Sequence, residues 1–128
     1  MTVPHERARA MGWGKELLAT IQHDDSIPVS LREHARELDL EYPTALALRD
    51  WLTAGKNGLL AGWATSIGSA YELFIAVQWP VVGCEETRRE LIATLRHFPD
   101  PWTIDRIDRI ARGDDAIAGW LMPADRYR

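Results

Sequence analysis

The sequence predicts an all-α protein, a six- to seven-helix bundle assembled from two tandem three-helix units. Three observations lead there. Apolar residues recur at intervals of three and four along most of the chain. Prolines, glycines and capping residues interrupt that pattern at helix-length intervals. A single offset of 56 positions relates the first half to the second without a gap.

The first helix starts after Thr2, with Pro4 in the first turn, where a missing N–H costs nothing. Ala10, Met11, Gly14, Leu17, Leu18 and Ile21 form its inner face, and His23-Asp24-Asp25-Ser26 breaks it. Ser30 and Glu33 have the spacing of a capping box for a second helix, reached through Pro28. Leu31, Ala35, Leu38 and Tyr42 line that helix until Pro43 ends it. Thr44 caps a third helix over 45–54 with Leu48, Trp51 and Leu52 inward, closed by Gly55 and the turn Lys56-Asn57-Gly58.

A long fourth helix follows over about 59–78, stopped by Pro80. The fifth covers about 85–97 with Thr87, Leu91, Thr94, Leu95 and Phe98 inward, ended by Pro99. Asp100-Pro101 opens a sixth through Ile104, Ile107, Ile110 and Ala111 to Gly113, and Asp114 or Asp115 caps a short turn through Trp120. Strand-like alternation is absent, with Val77 to Val82 the one ambiguous stretch.

The offset of 56 carries Gly12 to Gly68, Glu16-Leu17 to Glu72-Leu73, Gln22 to Gln78, Arg32 to Arg88 and Tyr42-Pro43 to Phe98-Pro99. It also carries the cap Thr44 to the cap Asp100. Composition alone would not put breakers and caps in register. The expected organisation is therefore a single domain, 1–128, with internal repeats at about 3–55 and 59–113 and a short C-terminal turn over 114–128, packed about an approximate twofold.

The opening Met1-Thr2-Val3-Pro4-His5-Glu6-Arg7-Ala8-Arg9-Ala10 resembles the start of a family of short, uncharacterised proteobacterial helical proteins, which reads Met-Thr-x-Pro-x-Glu-Arg-x-Arg-Ala. Arg96-His97-Phe98-Pro99 is similar to that family's Arg-His-(Tyr/Phe)-Pro end of the second helix, and Glu41-Tyr42-Pro43-Thr44 resembles it with glutamate in place of histidine. The unit would thus be present twice. The resemblance implies a bacterial cytosolic origin and supplies no mechanism.

A chain of 128 residues, 46% hydrophobic with six tryptophans, suffices for one domain with a sizeable core. Trp51 and Trp63 are expected to be largely buried, with roughly 3–5 kcal/mol lost on replacement by alanine. Fifteen Lys and Arg against 19 Asp and Glu give a net charge of −4, which disfavours general nucleic-acid binding. The lone cysteine, Cys84, excludes an internal disulfide. It is expected to be a small buried residue. Leu59 to Trp79 has the length of a membrane span but contains Glu72, Gln78 and several hydroxyls. With no signal-peptide core at the start, the expected location is the cytoplasm.

No catalytic, cofactor-binding or metal site is expected. His5, His23, His34 and His97 lack metal-ligand spacing. Glu85 and Glu86 read as favourable charge in a first helical turn, and Gly55-Lys56-Asn57-Gly58 as a turn rather than a phosphate loop. On the sixth helix, Asp105–Arg109 and Asp108–Arg112 pair at i,i+4 as on a solvated face.

The favoured function is protein–protein interaction, as a regulator or a mobile-element accessory factor that blocks or bridges a larger complex. A nucleic-acid-binding helical regulator is the alternative, and a small enzyme without a recognisable motif ranks third. Expected partners are another protein or a second copy, with nucleic acid less favoured and no membrane. Candidate contact residues are Gly62, Thr65, Ser69 and Glu72, a small-residue seam on the fourth helix that continues to Ala76. Arg88 and Arg89 on the fifth helix, and Trp120, Met122 and Tyr127 in the tail, complete the set.

Overall fold

A computed structural model of the chain describes residues 4–53, 62–78 and 83–104. Among them every regular element is helical: α1 (Pro4–Gln22), α2 (Val29–Glu41), α3 (Ala45–Thr53), α4 (Trp63–Gln78) and α5 (Glu85–Leu95). A further helical turn begins at Pro101 and reaches Ile104, the last described residue. The expected sixth helix beyond it and the short C-terminal turn lie outside the described residues. None of the described helices is long and apolar enough to cross a membrane.

The central element is α1. It packs along α2, α5 and α3, and α2 packs in turn against α4. Its buried positions are Ala8, Ala10, Met11, Gly14, Leu17, Leu18 and Ile21, a stripe at helical spacing that includes the whole expected inner face. Those of α4 are Ala64, Ser66, Ile67, Ala70, Leu73, Phe74 and Val77. Phe98 closes the core between the two helices, with its ring edge-on to Phe74 at 5.4 Å and stacked near Tyr71 at 6.3 Å between centroids. Gly14 is required by close approach. A Cβ there would lie 2.5 Å from Tyr42 Oη and 2.8 Å from a Phe98 ring carbon.

Several sequence expectations need correction. Ser30 does not cap α2. The chain enters that helix earlier, with extended Pro28 as the N-cap and its carbonyl accepting from Leu31 and Arg32 N–H groups at 3.0 and 3.1 Å. Proline serves because its carbonyl, not its missing N–H, begins the helix. Trp51 and Trp63 are only half-buried; they meet edge to face, 6.0 Å apart, where α3 ends and α4 begins. Cys84 is exposed at the N-cap of α5, with its Sγ 3.4 Å from Thr87 Oγ1, and Thr87 takes the buried place in the first turn. By contrast, Thr44 caps α3 as expected, its Oγ1 accepting from Ala47 N–H at 3.0 Å.

Polar links tie the helices together. The Tyr42 hydroxyl donates to the Met11 carbonyl at 2.5 Å, inside the core. Lys15 reaches across to α2, donating to the Asp39 carbonyl at 2.6 Å and pairing with Asp39 Oδ1 at 2.8 Å. Gln22 donates to the other carboxylate oxygen at 3.2 Å. At the opposite end, His97 Nδ1 stands 3.2 Å from Glu6 Oε2, joining the end of α5 to the start of α1.

Candidate functional site

An out-of-phase apolar side chain on an amphipathic helix must face solvent unless a partner covers it. Six large apolar side chains among the described residues are exposed; Trp102, at 59%, lies in the turn after α5, and the other five lie on α1, α2, α3 and α5. Trp13 on α1 is 38% exposed, Leu46 on α3 57% and Ile92 on α5 60%. On α2, Val29 and Leu40 are 59% and 80% exposed.

Trp13 stands between two depressions. One, of about 320 Å³, lies between α1 and α3 and is lined by Arg9, Gly12, Trp13, Leu46 and Leu52 among others. The other, of about 300 Å³, lies between α1 and α5 and is lined by Trp13, Arg89, Ile92, Ala93, Arg96 and His97. Arginines therefore rim an apolar floor on both sides of one indole. Arg89 is held by Glu85 at 2.7 Å, an exposed pair one helical turn apart that contributes little to stability.

The residues singled out from the sequence fall in several places. Gly62, Thr65, Glu72 and Ala76 are exposed along the outside of α4 and Ser69 is half-buried, so the small-residue seam is an outer surface of the chain. Arg88 and Arg89 are exposed on α5; Arg89 borders the Trp13 groove, and Arg88 borders a smaller depression with Val77, Gln78, Leu91 and Ile92. Trp120, Met122 and Tyr127 lie outside the described residues. Sequence reasoning missed Trp13, Leu46 and Ile92. The available signal was phase: each is a large apolar side chain off the buried stripe of its own helix.

A third depression, of about 440 Å³, gathers His23, Asp24, Asp25, Cys84, Glu86 and Glu90. It puts an exposed thiol near an imidazole and several carboxylates, yet Asp24 has a structural task there. One carboxylate oxygen accepts from Ser26 N–H and Oγ at 2.9 and 2.5 Å, and the other from Cys84 N–H and Thr87 Oγ1 at 2.8 and 2.6 Å. Burial opposes its ionisation, but these bonds outweigh burial and hold the Asp24 carboxyl well below the usual range. Among the described residues no three His, Cys, Asp or Glu side chains converge as metal ligands would. Comparison with protein-family models, curated proteins and solved structures gives no match.

Proposed function

We propose that the chain is a bacterial, cytoplasmic, non-enzymatic helical protein, made of two copies of one three-helix unit, that acts by binding another protein. A small regulator or mobile-element accessory factor that blocks or bridges a larger complex fits this description. The bacterial and cytoplasmic parts rest on the sequence reading. The contact reading is carried by one observation: Trp13, Leu46 and Ile92 form an exposed apolar strip, crossing two adjoining depressions and rimmed by arginine. Exposed apolar area with a polar rim is typical of protein contact sites, where Trp and Arg are enriched.

The duplication reading is supported by register. Adding 56 converts every buried position of α1 into a buried position of α4, from Ala8 and Ala64 through Gly14 and Ala70 to Ile21 and Val77. It carries the end of α1 to the end of α4 and the start of α2 to the start of α5. Thr44 and Asp100 make equivalent capping bonds, to Ala47 N–H at 3.0 Å and Thr103 N–H at 2.8 Å. Gly12 faces Ala45 and Gly68 faces Ile104, the first helical turns after these two caps. The symmetry is imperfect, since α4 packs less extensively on α5 than α1 does on α2.

Nucleic-acid binding is a second reading with its own support: exposed Arg9 lines the depression on one side of Trp13, Arg89 and Arg96 line that on the other, and Arg88 lines a third beside Ile92, on a chain whose net charge is negative. The two readings separate in one experiment. Wild-type and Trp13→Ala baits are compared in a bacterial lysate, and both are titrated with duplex DNA and RNA at several salt concentrations. Proteins retained by wild type and lost by Trp13→Ala support the contact reading. Nucleic-acid affinity that falls steeply with salt, with no protein distinguishing the baits, replaces it.

A further inference from the structure

The outward faces of α2 and α5 are oppositely charged. On α2 the exposed charged side chains around Leu40 are Glu33, Arg36, Glu37 and Glu41, three acids and one base. On α5 and its C-cap those exposed are Glu85, Glu86, Arg88, Arg89 and Arg96, three bases and two acids. The two faces occupy the same register under the 56-residue offset, with Glu33 corresponding to Arg89 and Leu40 to Arg96. Each also presents apolar side chains to solvent: Val29 and Leu40 on α2, Ile92 and the neighbouring Trp13 beside α5.

We propose that the Arg-rimmed groove between α1 and α5 receives the acidic, Leu40-bearing face of α2 from a second copy of this chain. The inference rests on the reading of the chain as a protein-contact module and names its partner. Charge complementarity selects the occupant. An acidic amphipathic helix suits a groove with Trp13 and Ile92 as its floor and Arg89 and Arg96 on its rim, and this chain carries such a helix with its apolar residues uncovered. Val29, Glu33 and Leu40 fall within about 40° of one another at 100° per residue, so they project together. Leu40 would then sit against Trp13 and Ile92, with Glu33 and Glu37 facing Arg89 and Arg96. One contact of this kind covers the exposed apolar residues of both faces. It joins unlike surfaces, so each added chain leaves one acidic and one basic face open, and assembly continues past the dimer as concentration rises.

The test is molar mass in solution, by light scattering or sedimentation, from about 1 to about 500 μM, a range that reaches contacts of modest size. Wild type should exceed the 14.5 kDa of one chain increasingly with concentration. The added mass should shrink as salt rises from about 0.05 to about 1 M, because exposed charges are screened. Two variants invert one face each: Glu33→Arg with Glu37→Arg, and Arg89→Glu with Arg96→Glu. Each alone has like-charged faces and should associate at least about tenfold more weakly, roughly 1.4 kcal/mol. An equimolar mixture should regain the wild-type mass. If either double variant melts early, Leu40→Ser and Ile92→Ser test the same contact at side chains that already face solvent.

Wild type remaining at one-chain mass overturns the second copy as occupant. If Trp13-dependent capture from lysate persists in that case, the broader contact reading stands and a different acidic protein fills the groove. Association that survives both inversions, or is not restored by mixing, also overturns the proposal. So does salt-steep DNA binding by a chain that stays at one-chain mass.

Discussion

Thr87 Oγ1 donates to Asp24 Oδ2 at 2.6 Å, so a residue in the α1–α2 loop secures the first turn of a helix 63 positions later. Cys84 N–H donates to the same oxygen at 2.8 Å, which places a carboxylate against the positive end of α5. The α5 N-cap, Cys84, makes no side-chain capping bond to the helix backbone; its Sγ stands 3.4 Å from Thr87 Oγ1 instead. Asp24 supplies that function from another part of the chain.

Asp24→Ala should lower stability by about 3 kcal/mol, since it removes bonds to a charged acceptor and leaves Thr87 Oγ1 without that partner in the core. Urea unfolding at neutral pH checks this. A loss below about 1 kcal/mol would mean that water replaces the carboxylate easily.

The same residue makes a pH prediction. Its folded pKa is depressed, so its stabilising contribution is complete above the unfolded carboxylate value, roughly 4, and is lost as pH falls from there toward the folded value. Comparing unfolding midpoints at pH 7 and pH 3, wild type should fall further than Asp24→Asn. Equal acid sensitivity would remove Asp24 from the account.

Gly14→Ala should destabilise the fold by about 1–3 kcal/mol although alanine is the better helix former. The added methyl meets the Tyr42 hydroxyl and the Phe98 ring, both enclosed on every side by core. A higher melting temperature for this variant would show that the two rings have room to withdraw.

The matched caps should behave alike. Thr44→Ala and Asp100→Ala should each cost about 1 kcal/mol, with Asp100 the larger near neutral pH because its charge also meets the helix end. Thermal melts of the two variants check the equivalence, and a null effect at either position would separate them.

Cys84 should react with a thiol reagent in native buffer, one equivalent per chain and without unfolding, since its side chain is exposed at a helix start. Labelling that requires denaturant would return it to the core.

The inner faces were legible because core packing and helical period act through the same residues. Every residue expected on the inner face of α1 is buried, as are Ala35, Tyr42, Leu48, Leu52, Thr87, Leu91, Thr94 and Phe98. What was not legible depends on contacts between segments distant in sequence. The triplet His23-Asp24-Asp25 looks like an ordinary polar loop, and nothing local marks Asp24 as the residue that turns inward. The ends of the bundle were misjudged for a similar reason: Trp51 and Trp63 have core-like phase and pack against the core, yet they stay half-buried where α3 ends and α4 begins. Trp13 shows the converse, since an indole suggests burial while its phase points it outward.

The meeting of Tyr42 and Phe98 at Gly14 has a consequence for synthesis of the chain. Tyr42 belongs to the half translated first and can pack on α1 as soon as α2 has left the ribosome. Phe98 arrives much later: at roughly 5–20 residues per second, the interval from Gly14 to Phe98 is on the order of ten seconds. Throughout it, the part of α1 that α5 will cover stays open, and the nascent first half carries an apolar stripe that its own three helices cannot close. The pair α4 and α5 completes this core rather than adding a second body to a finished one. A ribosome stalled between α3 and α5 would therefore release an aggregation-prone fragment, and chaperone demand should peak over that stretch of translation.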